Sequence, residues 1–337
     1  MDNDTTVFLL LDFSKLWKVQ IIYLSLFLTV YLMTVTGNLL IITAVVFDHH
    51  LHTPMYFFMM NLAMQDIGSV SVIIPKVVLN FLTNSRYISY SGCVAPVLFF
   101  FFFLACDVSL LTVMAYDRYI AICYPLQYGI IMNRKACTKM VGSCWTASVL
   151  NAILHTTATF TIPFCSNIIN QFYCEVPYLL KIACSGLYGA EIGMVMFSST
   201  LAFGCFVFVI FTYVQIFSAV LRIPSVHGRK KAFSTCLPHL IVFSLFLFTA
   251  CFAYLRPISD SPSPPDFIIT IMYSIIPSMF NPLIYSMRNK KIKAALSRFE
   301  TIQLCIHYKY HFEMCLKSML KKIGIRFSEK KIFSKSP

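Results

Sequence analysis

Hydrophobic positions in this chain come in long unbroken blocks, not in the short alternations of half-buried strands or one-faced helices. Val19–Val46 contains no charged residue, and Met140–Phe164, Ile192–Leu221, Ala232–Leu255 and Phe267–Met287 are likewise free of Asp, Glu, Lys and Arg. Two further blocks are interrupted only by Asp66 and Lys76 in Met55–Phe81, and by Asp107 in Cys93–Ala115. About 20 consecutive apolar residues suffice for a helix to cross a bilayer core. Each block therefore predicts a transmembrane helix, and the fold class predicted is an all-α membrane protein, a bundle of seven spans over residues 19–287.

The polar segments between the blocks are short at Phe47–Pro54, Tyr119–Lys139, Arg222–Lys231 and Arg256–Asp266. The exception, Thr161–Glu191, holds Cys165, Cys174 and Cys184 and reads as a lid or entry surface above the bundle. Prolines at 75, 238, 277 and 282 lie inside spans and predict bends. After Met287 the pattern changes: Ile292, Ala295, Leu296 and Phe299 share a helical face, ringed by Lys290, Lys291 and Lys293. That is the pattern of an amphipathic helix on the inner leaflet. Phe312, Leu316, Leu320 and Ile323 continue it into a tail over residues 288–337.

Charge orients the bundle. With residues 1–18 outside, the outer side carries six of the 27 basic residues and the inner side the other 21, an asymmetry that fixes the N-terminus outside and the C-terminus inside. The formal net charge of +13 resides largely in the tail, where it suits anionic membrane lipids; nucleic acid is not an expected partner. Only 12% of the 337 residues are charged, half the share of an average soluble domain. No cleavable signal peptide is predicted, because Met1–Lys18 begins acidic and its apolar stretch Val7–Leu11 is short. The sequon Asn3-Asp4-Thr5 falls on the outer side and predicts glycosylation at Asn3.

Of 13 cysteines, most lie inside apolar blocks, where Cys behaves as a small hydrophobe. Cys93, Cys165, Cys174 and Cys184 lie on the oxidising outer side, where three pairings exist. The pairing favoured is Cys93–Cys174, tying the third span to the long loop, with Cys165–Cys184 closing that loop on itself. No Cys/His spacing resembles a closed zinc site, and no nucleophile–base–orienter set or HExxH string supports an enzyme. A transporter or channel would need a polar path or broken repeated helices, and only two acids lie mid-membrane.

The ionisable residues left inside the blocks are the candidate chemistry, since charge is expensive in lipid. Asp117-Arg118, at the inner end of the third span, can pair in one conformation and separate in another. Several strings then point one way: Gly37-Asn38; Leu51-His52-Thr53-Pro54-Met55-Tyr56; Met114-Ala115-Tyr116-Asp117-Arg118-Tyr119-Ile120-Ala121-Ile122-Cys123; Lys231-Ala232-Phe233-Ser234-Thr235-Cys236 with His239; and Asn281-Pro282-Leu283-Ile284-Tyr285. In this order and on these faces, from about Gly37 to about Lys293, the chain resembles the olfactory receptors among the rhodopsin-like seven-helix receptors.

The resemblance implies a plasma-membrane receptor that binds small, volatile, mostly apolar and neutral odorants within the bundle. It implies coupling to a heterotrimeric stimulatory G protein of olfactory type and a rise in cyclic AMP. The pocket positions it implies are Phe100, Phe101, Leu104 and Ala105 on the third span, and Met194, Phe197, Ser198 and Leu201 on the fifth. Cys251 and Tyr254 on the sixth and Ile271 and Ser274 on the seventh complete the set. The implied switch comprises Asp117, Arg118, Tyr119, Tyr213, His239, Asn281, Pro282 and Tyr285. Asp66 and Asp107, with Asn38 and Asn281 nearby, resemble the pair that holds a sodium ion in related receptors; no other cofactor is expected. The chain departs from the family pattern at Thr212, where Ser is common, at Leu247, where Tyr is usual, and at Asp107, where Glu is usual.

Overall fold

The computed structural model describes residues 7–10, 17–83, 85–169, 171, 173–184, 189–222, 225–255, 275–288, 291–292 and 294–298. Within its helices, a few side chains fall outside that description. Long helices α1 (Trp17–Phe47), α2 (Pro54–Thr83) and α3 (Tyr90–Cys123) come first. A single-turn α4 (Tyr128–Ile131) follows, and then α5 (Arg134–Phe160). A short α6 (Val176–Ile182) lies in the long loop before α7 (Gly189–Leu221), α8 (Val226–Leu255) and α9 (Ile276–Arg288). The bundle helices are α1, α2, α3, α5, α7, α8 and α9, and each coincides with one apolar block. Only the second half of the last block is described, so residues 267–274 lie outside the description.

These segments are helical because their backbone groups can be satisfied only internally in lipid. Among the described residues, Gln20–Phe47, Pro54–Thr83, Tyr90–Cys123 and Glu191–Leu221 are long and apolar enough to cross a membrane by composition alone. Large apolar side chains such as Ile22, Met33, Leu82, Met196 and Phe203 point outward from them, as a lipid-facing surface requires. Helix starts are capped where the chain turns: Ser89 Oγ accepts from Gly92 N at 3.0 Å, and Asn133 Oδ1 accepts from Ala136 N at 3.0 Å.

α3 runs through the middle, packed on α2, α5, α7 and α8. Its inner half sits in the largest apolar cluster, where Leu110, Leu111 and Met114 meet Ile216, Val220 and Cys236. α1 closes onto α9 through Gly37: a Cβ there would lie 3.0 Å from Cγ of Pro282, tight enough that the proline would have to give by a few tenths of an ångström. Beyond α9, residues 291–292 and 294–298 are helical, with Ile292 and Ala295 buried. Arg298 reaches Asp48 at the end of α1. Phe299 and the tail residues Phe312, Leu316, Leu320 and Ile323 lie outside the described residues.

The outer end holds a feature the all-helical expectation lacked. β1 (Val7–Leu10) pairs antiparallel with β2 (Tyr87–Ser89) and parallel with β3 (Ile168–Ile169), giving the order β2-β1-β3. The short apolar stretch near the N-terminus is thus an edge-joining strand. Its Phe8 is fully buried, edge-on to Phe164 at 5.4 Å and stacked over Tyr90 at 6.1 Å. Disulfides join Cys93 to Cys174 and Cys165 to Cys184, with Cα–Cα distances of 5.4 and 4.9 Å. Asn3 lies outside the described residues.

Candidate functional site

At the inner end, α3 brings Asp117 and Arg118 into the core, 1% and 6% exposed. Nη1 of Arg118 lies 3.9 Å from Oδ2 of Asp117, a loose pairing. The other carboxylate oxygen accepts a hydrogen bond from the Tyr128 hydroxyl of α4 at 2.7 Å. Burial first, then the Asp117 carboxylate, push the Tyr128 phenol well above its ordinary value, so it keeps its proton and donates. Nε of Arg118 is buried with no hydrogen-bond partner. The guanidinium is therefore held but not saturated, leaving donors for a partner's carbonyls. Tyr119 turns the other way, its hydroxyl 3.4 Å from that of Tyr124.

Nearly two turns closer to the middle of the bundle, three helices are tied by a single imidazole. The Tyr213 hydroxyl of α7 is 2.8 Å from Nδ1 of His239 on α8, and Nε2 of His239 is 2.9 Å from the Leu111 carbonyl of α3. A carbonyl can only accept, so Nε2 carries the proton and Nδ1 accepts from the tyrosine; this tautomer is assigned from the partners. The ring is neutral and fully satisfied, although wholly buried.

Mid-bundle, Nδ2 of Asn281 on α9 donates to both oxygens of Asp66 on α2, at 3.1 and 3.0 Å. Asn38 donates to the Thr34 and Ser278 carbonyls at 3.0 and 3.2 Å. Oδ1 atoms of Asn38, Asp107 and Asn281 are buried without a partner. Oxygens lacking donors are what a hard cation takes, so these residues fit a sodium ion. The Tyr285 side chain lies outside the described residues, while Pro282 is buried against Gly37.

Beside Asp107 is a cavity of about 30 Å³. α3 lines it with Phe100, Phe103, Leu104 and Asp107, and α2 with Ser69, Val72 and Ile73. Phe246 of α8 and Pro277 and Ser278 of α9 close it. Ser69 and Ser278 hydroxyls are 3.1 Å apart across it. Of the expected pocket residues, this cavity gathers Phe100 and Leu104. Phe101 lies instead flat on the His155 ring of α5, centroids 4.0 Å apart, and Ala105 is half-buried on α3.

On α7, Met194, Phe197, Ser198 and Leu201 fall at helical spacing; Phe197 and Leu201 are 54% and 55% exposed, and Met194 is half-buried. A helix apolar on all sides gives spacing no inward direction. Ser198 faces α5, donating to Oδ1 of Asn151 at 2.8 Å and lying 2.8 Å from Nε2 of His155. Nδ1 of His155 is 3.0 Å from Oε1 of Glu191, both fully buried. That pair was missed because Glu191 ends a loop in the sequence; a lone acid opening an apolar block, one helix pair from a lone His, was the available signal. The side chains of Cys251 and Tyr254, and all of Ile271 and Ser274, lie outside the described residues.

A central helix that joins a mid-bundle cavity to an inner Asp-Arg pair, inside a seven-helix bundle, defines a rhodopsin-like receptor. The crystal structure of squid rhodopsin superimposes with a TM-score of 0.67, covering 85% of this chain and 87% of that one at 18% identity. The olfactory receptor family profile matches residues 27–302. Human olfactory receptor 14J1 is 44% identical over 93% of this chain and 97% of its own length. Human olfactory receptor 14I1 is 46% identical over 88% and 97%. The chain belongs to the olfactory receptor family. It is a multi-pass plasma-membrane receptor for small molecules that acts through a G protein, and not an enzyme.

Proposed function

We propose that this receptor binds small, mostly apolar, neutral odorants in the bundle and activates a stimulatory G protein of olfactory type, raising cyclic AMP. The observation that carries this reading is the continuity of α3. One helix lines the cavity with Phe100 and Leu104 and presents Asp117 and Arg118 at the other end. Occupancy that shifts α3 against α7 and α8 would strain the His239 tie and free Arg118 to grip the G protein. Residues 1–18 form the outer N-terminus, 19–287 the receptor domain, and 288–337 a basic cytoplasmic tail that contacts anionic lipid. A sodium ion between Asp66 and Asp107, with the Asn38 and Asn281 amide oxygens, would neutralise the two acids in the resting receptor. The unpartnered oxygens support that role. Pocket roles for Ala105, Met194, Cys251, Tyr254, Ile271 and Ser274, and a switch role for Tyr285, belong to the same reading.

The test is an odorant panel on cells expressing the receptor, read as cyclic AMP per surface receptor, with Arg118→Ala alongside. The expected result is a concentration-dependent response abolished by the substitution at normal surface level. A normal response from the variant would remove the switch assignment, and odorant-driven ion flux without cyclic AMP would replace the signalling reading.

A further inference from the structure

The cavity differs from the apolar pocket expected for neutral odorants in one respect. Asp107 is its sole ionisable lining residue among those described, and Oδ1 of that carboxyl is buried with no hydrogen-bond partner. The two hydroxyls nearby, Ser69 and Ser278, are engaged with each other at 3.1 Å, and Asn281 directs its amide to Asp66. Among the described residues no group donates to this oxygen, so an entrant bearing a donor competes there with the sodium ion proposed above. A buried acceptor left unpaired is costly, so whatever enters the cavity with a donor gains that bond in addition to its apolar contacts. An entrant that can only accept places a second lone pair against the first.

Size narrows the choice. A site holding one water needs about 10–15 Å³, so 30 Å³ admits a terminal hydroxyl or amino group with its carbon. The rings of Phe100 and Phe103 and the Leu104 side chain form apolar walls beside the carboxyl. We propose that the agonists of this receptor carry a hydrogen-bond donor, a hydroxyl or amino group, on an apolar body, and that this donor docks on Oδ1 of Asp107. The assignment rests on the odorant-receptor reading above and widens its neutral ligand class to amines. It makes Asp107 a ligand-contacting residue, which its position among the mid-membrane acids did not indicate.

The test uses one alkyl skeleton bearing a hydroxyl, an amino, a methyl ether or a methyl ester end, dose–response measured as cyclic AMP per surface receptor. The expected order places the hydroxyl and amino members at least tenfold more potent than the ether and ester. Asp107→Leu removes the acceptor while keeping the branching at Cγ, and the order collapses to within threefold. Asp107→Asn keeps an acceptor oxygen without charge, so the hydroxyl advantage persists and the amino advantage is lost. Equal potency of acceptor-only members in the native receptor, or an unchanged order in Asp107→Leu, overturns the proposal. Should Asp107→Leu fail to reach the surface, an Asp107→Asn receptor that ranks amino and hydroxyl members as the native one does overturns it equally. These failures are distinct from failure of the odorant reading itself, in which neither this series nor the broad panel raises cyclic AMP.

Discussion

The outer and inner halves of the bundle are held by different kinds of bond. Outside, two disulfides, a three-stranded sheet and the buried Phe8 fasten the top of α3 to the long loop and the N-terminal segment. Inside, the ties are exchangeable hydrogen bonds across helices: His239 with the Tyr213 hydroxyl and the Leu111 carbonyl, Tyr128 with Asp117 and, mid-bundle, Asn281 with both oxygens of Asp66. Covalent bonds and sheet pairing do not exchange on a signalling timescale, whereas side-chain hydrogen bonds do. The contrast teaches where movement belongs: a ligand entering the fixed outer half is read out by rearrangement of the exchangeable inner half.

Breaking the outer frame should have the largest effect. Cys93–Cys174 closes a separation of 81 residues. Losing a native disulfide costs about 2–5 kcal/mol in small domains, and a membrane protein so destabilised is retained before reaching the surface. Cys93→Ser and Cys174→Ser should each abolish most surface receptor, and the double substitution should be no worse than either alone. Flow cytometry of an N-terminal tag measures this; normal surface levels would show that the sheet holds the frame without the bridge.

The inner ties should respond differently, with the receptor present but misregulated. His239→Phe preserves the ring packing against Phe243. It removes the hydrogen bonds to the Tyr213 hydroxyl and the Leu111 carbonyl, at about 0.5–1.5 kcal/mol for each. Basal cyclic AMP should rise roughly tenfold per surface receptor, and the odorant-induced increment should shrink. Unchanged basal signalling at normal surface level would mean that this imidazole staples the helices without reporting on the switch.

The two halves also differ in how far they were readable from the chain. The inner half sits where apolar blocks meet water, so Asp117, Arg118, His239 and Asn281 stand out as polar residues that lipid would reject. Their positions follow from block boundaries, and the structure brings Tyr213 to His239 and Asn281 to Asp66. The outer half offers no such contrast. The run of five phenylalanines from 99 to 103 has no polar side, and only coordinates separate Phe100 at the cavity from Phe101 on His155. Phe197 and Leu201, on a helix apolar all round, are likewise given no direction by their spacing. The sheet was invisible because Val7–Leu10, Tyr87–Ser89 and Ile168–Ile169 are each four residues or fewer and lie far apart in sequence. Pairing of that kind is a tertiary outcome that no local propensity announces.

Tyr128 gives the finest test of the contrast, because it removes one inner tie and leaves every packing contact. Its hydroxyl donates to Asp117 at 2.7 Å, and its elevated proton affinity keeps it a donor across the physiological range. Asp117 thus has two claimants, the Tyr128 hydroxyl and the Arg118 guanidinium at 3.9 Å. Because the tyrosine sits on α4 and not on α3, its bond ties the carboxylate to the loop that links α3 and α5. When α3 moves, that tie must stretch or break. Tyr128→Phe deletes an oxygen only, and a hydrogen bond to a charged group is worth about 1.5–3 kcal/mol. The freed carboxylate can recover part of this by closing on Arg118, so the net bias between states should be below about 1 kcal/mol, or roughly a fivefold rise in basal cyclic AMP at most. Combined with Arg118→Ala, the substitution should have no effect, since nothing remains for the carboxylate to release. A Tyr128→Phe receptor whose basal signal falls instead would place the tyrosine on the active side of the equilibrium, making α4 a part of the frame and not of the latch.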